Sequence, residues 1–163
     1  MRQLQPVCTT LESSCDVGYT GRYYEYAPNQ LVGTTLKVGH NSLAKMAKRE
    51  GWKTKDRDDE ELLMLVRDPM DRLRSAYQFF TQRLQCEQTW EEFVDNILAG
   101  NRNNHWIPQT VHHENPTRYM EFDKFLDVQE NASKEVDVPW EYRYEELLEY
   151  YEDDWKLWTD LTT

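Results

Sequence analysis

Two short segments of the 163-residue chain carry residues suited to binding phosphate or sulfate groups. The first segment follows an apolar, β-branched stretch and reads Lys37-Val38-Gly39-His40-Asn41-Ser42-Leu43. A strand that ends in Lys and Gly and turns into a helix directs backbone N–H groups at one point, which favours an anion there. The full Gly-x-x-x-x-Gly-Lys-Ser/Thr loop is absent, so an ordinary strand-to-helix turn is the alternative interpretation.

The second segment combines an arginine with a hydroxyl group on the following helix. It reads Arg67-Asp68-Pro69-Met70-Asp71-Arg72-Leu73-Arg74-Ser75-Ala76-Tyr77. Arg67 follows an apolar run, at the position where open α/β sheets place their ligands. Ser75 lies six residues beyond Pro69, roughly 9 Å along the predicted helix at 1.5 Å per residue. The pair predicts a second phosphate site, and the alternative is a surface arginine with a helical serine.

The pattern of apolar residues predicts the elements that position both segments. Strands are predicted over residues 31–37, 62–66 and 118–122. The second of these is a five-residue apolar run, which is the length of a buried parallel strand. A helix is predicted directly after each of the first two strands. This alternation is typical of a parallel sheet, so the predicted fold class is α/β.

Capping residues mark the ends of the predicted helices. Asp68 is a suitable N-cap with Pro69 in the first helical position, and Gly51 closes the preceding helix. Thr89-Trp90-Glu91-Glu92 is a capping box that opens a further helix. These local patterns predict the start or end of three helices.

The length of the chain favours one domain over residues 1–163. Residues 1–28 show no clear period and are expected to be irregular. Residues 143–161 are expected to form a C-terminal helical region that packs against the body of the domain through its Leu, Tyr and Trp side chains.

The order and spacing of these segments resemble the sulfotransferase superfamily, particularly its carbohydrate sulfotransferase branch. That family has a K-x-G-x-T-S-like loop after the first strand, then an R-D-P-x-x-R-L-x-S-A-Y segment. Its Arg and Ser are eight residues apart, as are Arg67 and Ser75. The resemblance covers roughly residues 30–158 and includes Thr89–Val94, His105-Trp106-Ile107-Pro108-Gln109, Tyr119–Phe125 and the region from Tyr144 to Trp155.

The resemblance implies a fold, a reaction and a donor. The fold would be a P-loop-like three-layer domain with a short parallel sheet flanked by helices. The reaction would move a sulfonate group from 3′-phosphoadenosine 5′-phosphosulfate (PAPS) to a hydroxyl or amine acceptor, releasing 3′-phosphoadenosine 5′-phosphate (PAP). The branch favours a carbohydrate acceptor, although peptide tyrosine and small metabolites stay open. No divalent metal is implied.

The resemblance also implies roles for individual residues. The residues that would surround the 5′-phosphosulfate are Lys37, Gly39, His40, Asn41, Ser42 and Leu43. Arg67 and Ser75 would hold the 3′-phosphate. Asn41 departs from the family pattern, because it stands where the family has Thr, and it replaces a hydroxyl contact by an amide.

Sulfonate transfer needs a cation beside the departing phosphate and a base for the acceptor proton. Lys37 is the candidate cation. A His can accept a proton near neutral pH, and the chain has His40, His105, His112 and His113. His105 is the candidate base, because it begins the segment that resembles the family, with a structural hydrogen bond as the alternative. Glu60 and Glu61 are also present but precede a predicted strand.

The charge of the chain is unevenly distributed. The formal net charge is −11, yet residues 1–55 contain eight basic and four acidic residues. Residues 119–163 contain four basic and fourteen acidic residues. A general nucleic-acid binder would be basic, so binding to nucleic acid is not expected. The basic N-terminal third still suits a small anion.

Two further function classes stay open. One is a non-catalytic acidic interaction protein on a sulfotransferase-like fold, suggested by the acidic C-terminal third. The other is a nucleotide-dependent kinase with a degenerate phosphate loop, which lacks an evident Mg²⁺-binding carboxylate beside that loop.

The sequence also bears on location. No stretch has the roughly 20 apolar residues of a membrane span, and the N-terminus lacks the apolar core of a signal peptide. Cys8, Cys15 and Cys86 lack metal-ligand spacing and are expected to be free thiols. These patterns predict a soluble cytoplasmic protein without membrane contact.

Overall fold

The computed structural model describes residues 23–111, 115–127 and 137–163. Its five strands form one sheet in the order β3-β1-β2-β4-β5. The strands are β1 (Tyr23–Ala27), β2 (Gln30–Thr34), β3 (Lys53–Lys55), β4 (Glu61–Val66) and β5 (Arg118–Glu121). The structure is therefore α/β with a five-stranded mixed sheet flanked by helices, and the predicted fold class is confirmed at that level.

The centre of the sheet is parallel, as the sequence predicts. Strands β2 and β4 pair in parallel, and so do β4 and β5. Thr34 lies opposite Leu65, and Val66 lies opposite Glu121, so the carboxyl ends of all three strands share one edge. The predicted strand over 31–37 is shorter in the structure, because β2 ends at Thr34 and leaves Lys37 in the following loop.

Two strands were not predicted. Strand β1 lies within residues 1–28, which were expected to be irregular, and this is wrong for Tyr23–Ala27. It pairs antiparallel with β2 through a two-residue turn at Pro28 and Asn29, and Asn29 has a φ of 61°. Strand β3 is fully exposed and adds a charged edge next to β1. Residues 1–22 lie outside the described part of the chain.

Helices follow the strands at the predicted places. They are α1 (His40–Glu50), α2 (Pro69–Gln78), α3 (Trp90–Leu98), α4 (Phe122–Phe125), α5 (Tyr144–Tyr150) and α6 (Glu152–Thr162). A π-helical turn over Phe79–Arg83 continues α2. Helices α5 and α6 confirm the helical character of the predicted C-terminal region.

The predicted helix caps are present. The Asp68 side chain accepts hydrogen bonds from the N–H groups of Met70 and Asp71. Thr89 and Glu92 form the predicted capping box. Gly51 closes α1 with a φ of 75°, a conformation that glycine adopts at little cost. Local sequence therefore determines where these helices begin and end.

Two of the three apolar clusters among the described residues join helices to one another or to the sheet. On one sheet face, β2 and β4 pack against α1 and the α4 region through Val32, Leu43, Leu63, Leu65 and Leu126. A second cluster joins α2, α3 and α5 around the fully buried Trp106. The second cluster buries the segment that includes Trp106, and this anchors the loop that carries His105.

Cys86 departs from the expectation of free thiols, because it is buried and disulfide-bonded. Cys8 and Cys15 lie outside the described residues. Structural disulfides persist mainly in oxidising compartments, so the thiol argument for a reducing cytoplasm no longer holds. In the part of the chain that the structure describes, no helix has the length and apolar character needed to cross a membrane.

Candidate functional site

The two predicted anion-binding segments meet at the carboxyl edge of the parallel strands. The loop after β2 carries Lys37, and Arg67 follows β4 directly. The Arg67 Nη1 atom donates a hydrogen bond to the Lys37 carbonyl oxygen at 3.3 Å. Because β2 and β4 are parallel neighbours, the sheet itself brings these two basic side chains together.

The loop between β2 and α1 has an uncommon backbone shape. Lys37 has a φ of 65° and Gly39 a φ of 80°, so both lie in the left-handed region. A Cβ atom on Gly39 would lie 2.8 Å from Leu126 Cδ1, so that side chain would have to shift, and the positive φ would strain any other residue there. Holding a lysine in this region costs on the order of 1–3 kcal/mol and is common at binding sites.

The first turn of α1 is open to an anion. The turn contains no acidic residue and no side-chain cap. Among the described residues, the N–H groups of His40 and Asn41 have no backbone acceptor. The buried Thr35 Oγ1 atom, just before the loop, also has no hydrogen-bond partner among the described residues. Such N–H groups at a helix N-terminus bind phosphate readily.

The other two loop residues assigned from the sequence are buried. Ser42 is 3% exposed and Leu43 is 1% exposed. The Leu43 side chain packs in the core, and its N–H donates to the Gly39 carbonyl oxygen at 2.9 Å. Leu43 therefore holds the loop against the body of the domain, and its assignment as a binding residue stays a prediction.

The Phe79 ring lies close to two basic side chains, those of Lys37 and Arg83. The Lys37 Nζ atom lies 4.4 Å from the centre of the Phe79 ring, and the Arg83 guanidinium lies 5.9 Å from it. The His105 ring stacks on Phe79 at 4.8 Å. Phe79 and Arg83 belong to the π-helical turn, a feature frequent at functional sites. Neither residue was predicted as part of the site.

The cluster formed by Lys37, His40, Arg67, Arg83 and His105 is electropositive. Burial, and then the charges of Arg83 and Arg67, lower the pKa of Lys37 to about 8. Burial and the Lys37 charge also lower the pKa of His40. In the part of the chain that the structure describes, Lys37, Arg67 and Arg83 form no ion pair with a carboxylate. A bound anion would relieve this mutual repulsion.

Arg67 is held by the segment that begins with His105. The Gln109 side chain accepts from the Arg67 N–H at 2.8 Å and donates to the Arg67 carbonyl oxygen at 2.7 Å. The Arg67 guanidinium lies over the Phe122 ring at 5.5 Å. Trp106 is fully buried and donates to the Asn101 carbonyl oxygen, so it packs in the core and cannot stack on a nucleotide base.

Ser75 lies on α2, the helix that follows Arg67, and it is 6% exposed. Pro69 and Ser75 lie in one regular helix, as predicted. A ligand contact by Ser75 stays a prediction.

Three histidines lie outside the Lys37 loop, and among them His105 alone belongs to the described residues. Burial, followed by the charges of Lys37, Arg72 and His40, lowers its pKa to about 4. The Nδ1 atom lies 2.6 Å from the Asn103 Oδ1 atom. An oxygen acceptor requires a donor at Nδ1, so the neutral ring keeps its lone pair on Nε2. That tautomer can accept a proton at Nε2.

The two glutamates considered as alternative bases lie elsewhere. Glu61 opens β4 opposite Gln30, at the amino edge of the sheet, and Glu60 precedes it. The Glu60 carboxylate pairs with Lys55, and this hydrogen bond lowers the pKa of Glu60 to about 2. Neither carboxylate is near the basic cluster. The structure therefore leaves His105 as the better candidate.

Comparisons with known proteins identify no relative whose site could be set beside this one. The chain matches no known protein family, no curated protein and no solved structure. Within the described ranges, no group of three or more His, Cys, Asp or Glu residues could hold a metal ion.

Proposed function

We propose that this protein is a PAPS-dependent sulfotransferase with a P-loop-like nucleotide site. The observation that supports the proposal most is the meeting of the Lys37 loop and Arg67 at the carboxyl edge of parallel strands. In this arrangement a loop with free N–H groups lies beside Arg67, whose guanidinium suits a second phosphate group. The donor carries phosphate at both ends, so two such groups suit it.

In this proposal, the loop and Lys37 bind the 5′-phosphosulfate, and Arg67 with Ser75 binds the 3′-phosphate. The acceptor oxygen attacks sulfur as the bond from sulfur to the 5′-phosphate oxygen breaks. Negative charge grows on the departing phosphate, and the Lys37 ammonium stabilises it. His105 takes the acceptor proton at Nε2. The products are the sulfated acceptor and PAP, with the proton on His105.

The same proposal includes the finer expectations about substrate and location. The acceptor is a hydroxyl or amine compound, with carbohydrate favoured by the resemblance. A cytoplasmic location remains part of the proposal, although the disulfide at Cys86 favours an oxidising compartment instead. Determining whether Cys86 is oxidised in the producing cell would decide between these locations.

PAP is expected to stabilise the folded protein, whereas ATP with Mg²⁺ is not. A ligand at one hundred times its dissociation constant adds about 2.7 kcal/mol to the free energy of unfolding. The measurement is the melting temperature with PAP, with adenosine 5′-phosphate as the control that lacks the 3′-phosphate, and with ATP and Mg²⁺. Stabilisation by ATP and Mg²⁺ alone would favour a kinase, and no effect of any nucleotide would favour the interaction protein.

Replacing His105 with alanine is expected to reduce sulfonate transfer on the order of 10²-fold, since a general base contributes that much. PAP affinity should stay within about threefold of wild type, because His105 does not hold the nucleotide. His105→Gln is the matched variant, since Gln can hydrogen-bond but cannot accept a proton at neutral pH. Normal turnover in His105→Gln would show that His105 has only a structural role.

A further inference from the structure

Arg72 is a buried arginine that lies between the two loops of the candidate site. It belongs to α2 and is 2% exposed. Its Nε atom donates to the Leu36 carbonyl oxygen at 2.9 Å. Its other two nitrogens donate to the carbonyl oxygens of Asn104 and Ile107. One planar guanidinium therefore connects two separate loops.

The acceptors of these hydrogen bonds lie next to the two residues proposed for chemistry. Leu36 directly precedes Lys37, and Asn104 and Ile107 lie on either side of His105 in sequence. The backbone of the Lys37 loop and the backbone of the His105 loop are thus held at a set separation by a rigid group. No interaction between the two loops themselves is needed for this.

The hydrogen-bond partners of Arg72 are neutral, which is unusual for a buried cation. Among the described residues, Arg72 has no carboxylate in ion-pair contact. Asp154 acts on it only at longer range and instead accepts hydrogen bonds from the backbone of Gln109 and Thr110. Burying a charge without a contacting counter-charge is costly, so an apolar side chain would be the cheaper choice for packing alone.

We propose that Arg72 is a positioning residue that fixes the distance between Lys37 and His105. The effect of Arg72 on catalysis rests on the proposed function, whereas its hydrogen-bonded connection between the two loops does not. The three directed donors of the guanidinium are the required property. Lysine has the charge and three N–H donors, but these lie on a single nitrogen, whereas Arg72 uses three separate nitrogens of a planar fork to reach its three carbonyl groups.

Hydrogen exchange of the full-length protein tests the connection. The amide of Leu43 reports on the Lys37 loop, and the amides of Trp106 and Ile107 report on the His105 loop, because all three are hydrogen-bonded. In Arg72→Lys and Arg72→Gln these amides should exchange at least about tenfold faster, the equivalent of one lost hydrogen bond to a charged group. Arg74→Lys, two residues further along α2 with a partly exposed side chain, should show no change.

The conservative variant separates positioning from a general effect of charge or stability. Unchanged exchange in both loops of Arg72→Lys would overturn the proposal, and so would faster exchange that extends equally to the β4 strand. If PAP binds to the wild type, Arg72→Lys should reduce the rate of sulfonate transfer by a larger factor than it reduces the affinity for PAP. If PAP does not bind to the wild type, the proposed function fails, yet the exchange comparison still tests Arg72.

If neither Arg72 variant folds, hydrogen exchange of the wild-type protein tests the proposal instead. In low denaturant, the Leu43 amide and the Ile107 amide should become exposed in the same opening step, because one guanidinium joins their loops. Opening of the two amides with clearly different dependence on denaturant would overturn the proposal.

Discussion

Replacing Arg67 with alanine is expected to weaken PAP binding by about 1.5–3 kcal/mol, the range for hydrogen bonds to charged groups. Arg67 lies at the carboxyl edge of the sheet and contacts the Lys37 loop through one guanidinium nitrogen. Burial already lowers its pKa, so the site gains by placing an anion beside the guanidinium. Isothermal titration calorimetry with PAP gives the change directly.

Arg74→Ala is the matched control for that measurement. Arg74 lies on the same helix with its side chain 25% exposed, and its guanidinium is 3.7 Å from the more exposed Asp71 carboxylate. Such a pair contributes at most about 1 kcal/mol, so PAP affinity should hardly change. Equal losses in the two variants would point to a general electrostatic effect, and unchanged affinity in Arg67→Ala would remove Arg67 from the nucleotide site.

Replacing Lys37 with methionine is expected to lower the rate of sulfonate transfer by about 10²–10³-fold, as for other groups that stabilise a developing anion. Methionine fills similar space and can still pack on Phe79. Transfer from PAPS is measured with an acceptor found by screening carbohydrates, tyrosine peptides and small hydroxyl compounds. Lys48→Met, at an exposed position of α1, is the control and should retain full activity.

The pH dependence of PAP binding gives a second test of Lys37. The pKa of Lys37 in the free protein is about 8 because of burial and the neighbouring arginines. Below this pH the ammonium is present and attracts the anion, so affinity is expected to fall as pH rises above about 8. The phosphates of PAP do not titrate between pH 8 and 10, having lost their last protons near pH 6. Lys37→Met should abolish this fall, and an identical profile would contradict the assignment.

Much of the local structure follows from the sequence because short-range interactions determine it. Asp68 and Thr89 cap their helices through hydrogen bonds to residues within three positions, so the caps are readable as motifs. The apolar runs before Lys37 and Arg67 identify β2 and β4, and both become buried parallel strands. The order of these elements is sufficient to place the two segments at one edge of the sheet.

The missed strands show where such reasoning fails. Strand β1 is short and half-buried, and it is stable only because it pairs with β2 on one side and β3 on the other. Strand β3 is a run of exposed polar residues with no pattern of its own. Pairing partners far apart in sequence decide both strands, so local propensity alone does not reveal them.

The residues of the candidate site also divide into those that the sequence identifies and those that only the folded structure identifies. The sequence by itself identified Lys37, Gly39 and Arg67 as residues of two strand-to-helix connections, because their types and spacing are local properties. Only the tertiary structure brought in Phe79, Arg83 and Arg72, and only it showed that Leu43 belongs to the core. These roles depend on a widened helical turn and on hydrogen bonds between residues more than thirty positions apart, such as that from Arg72 to Leu36. Contacts of this kind arise when the chain folds, since no short stretch of sequence contains both partners.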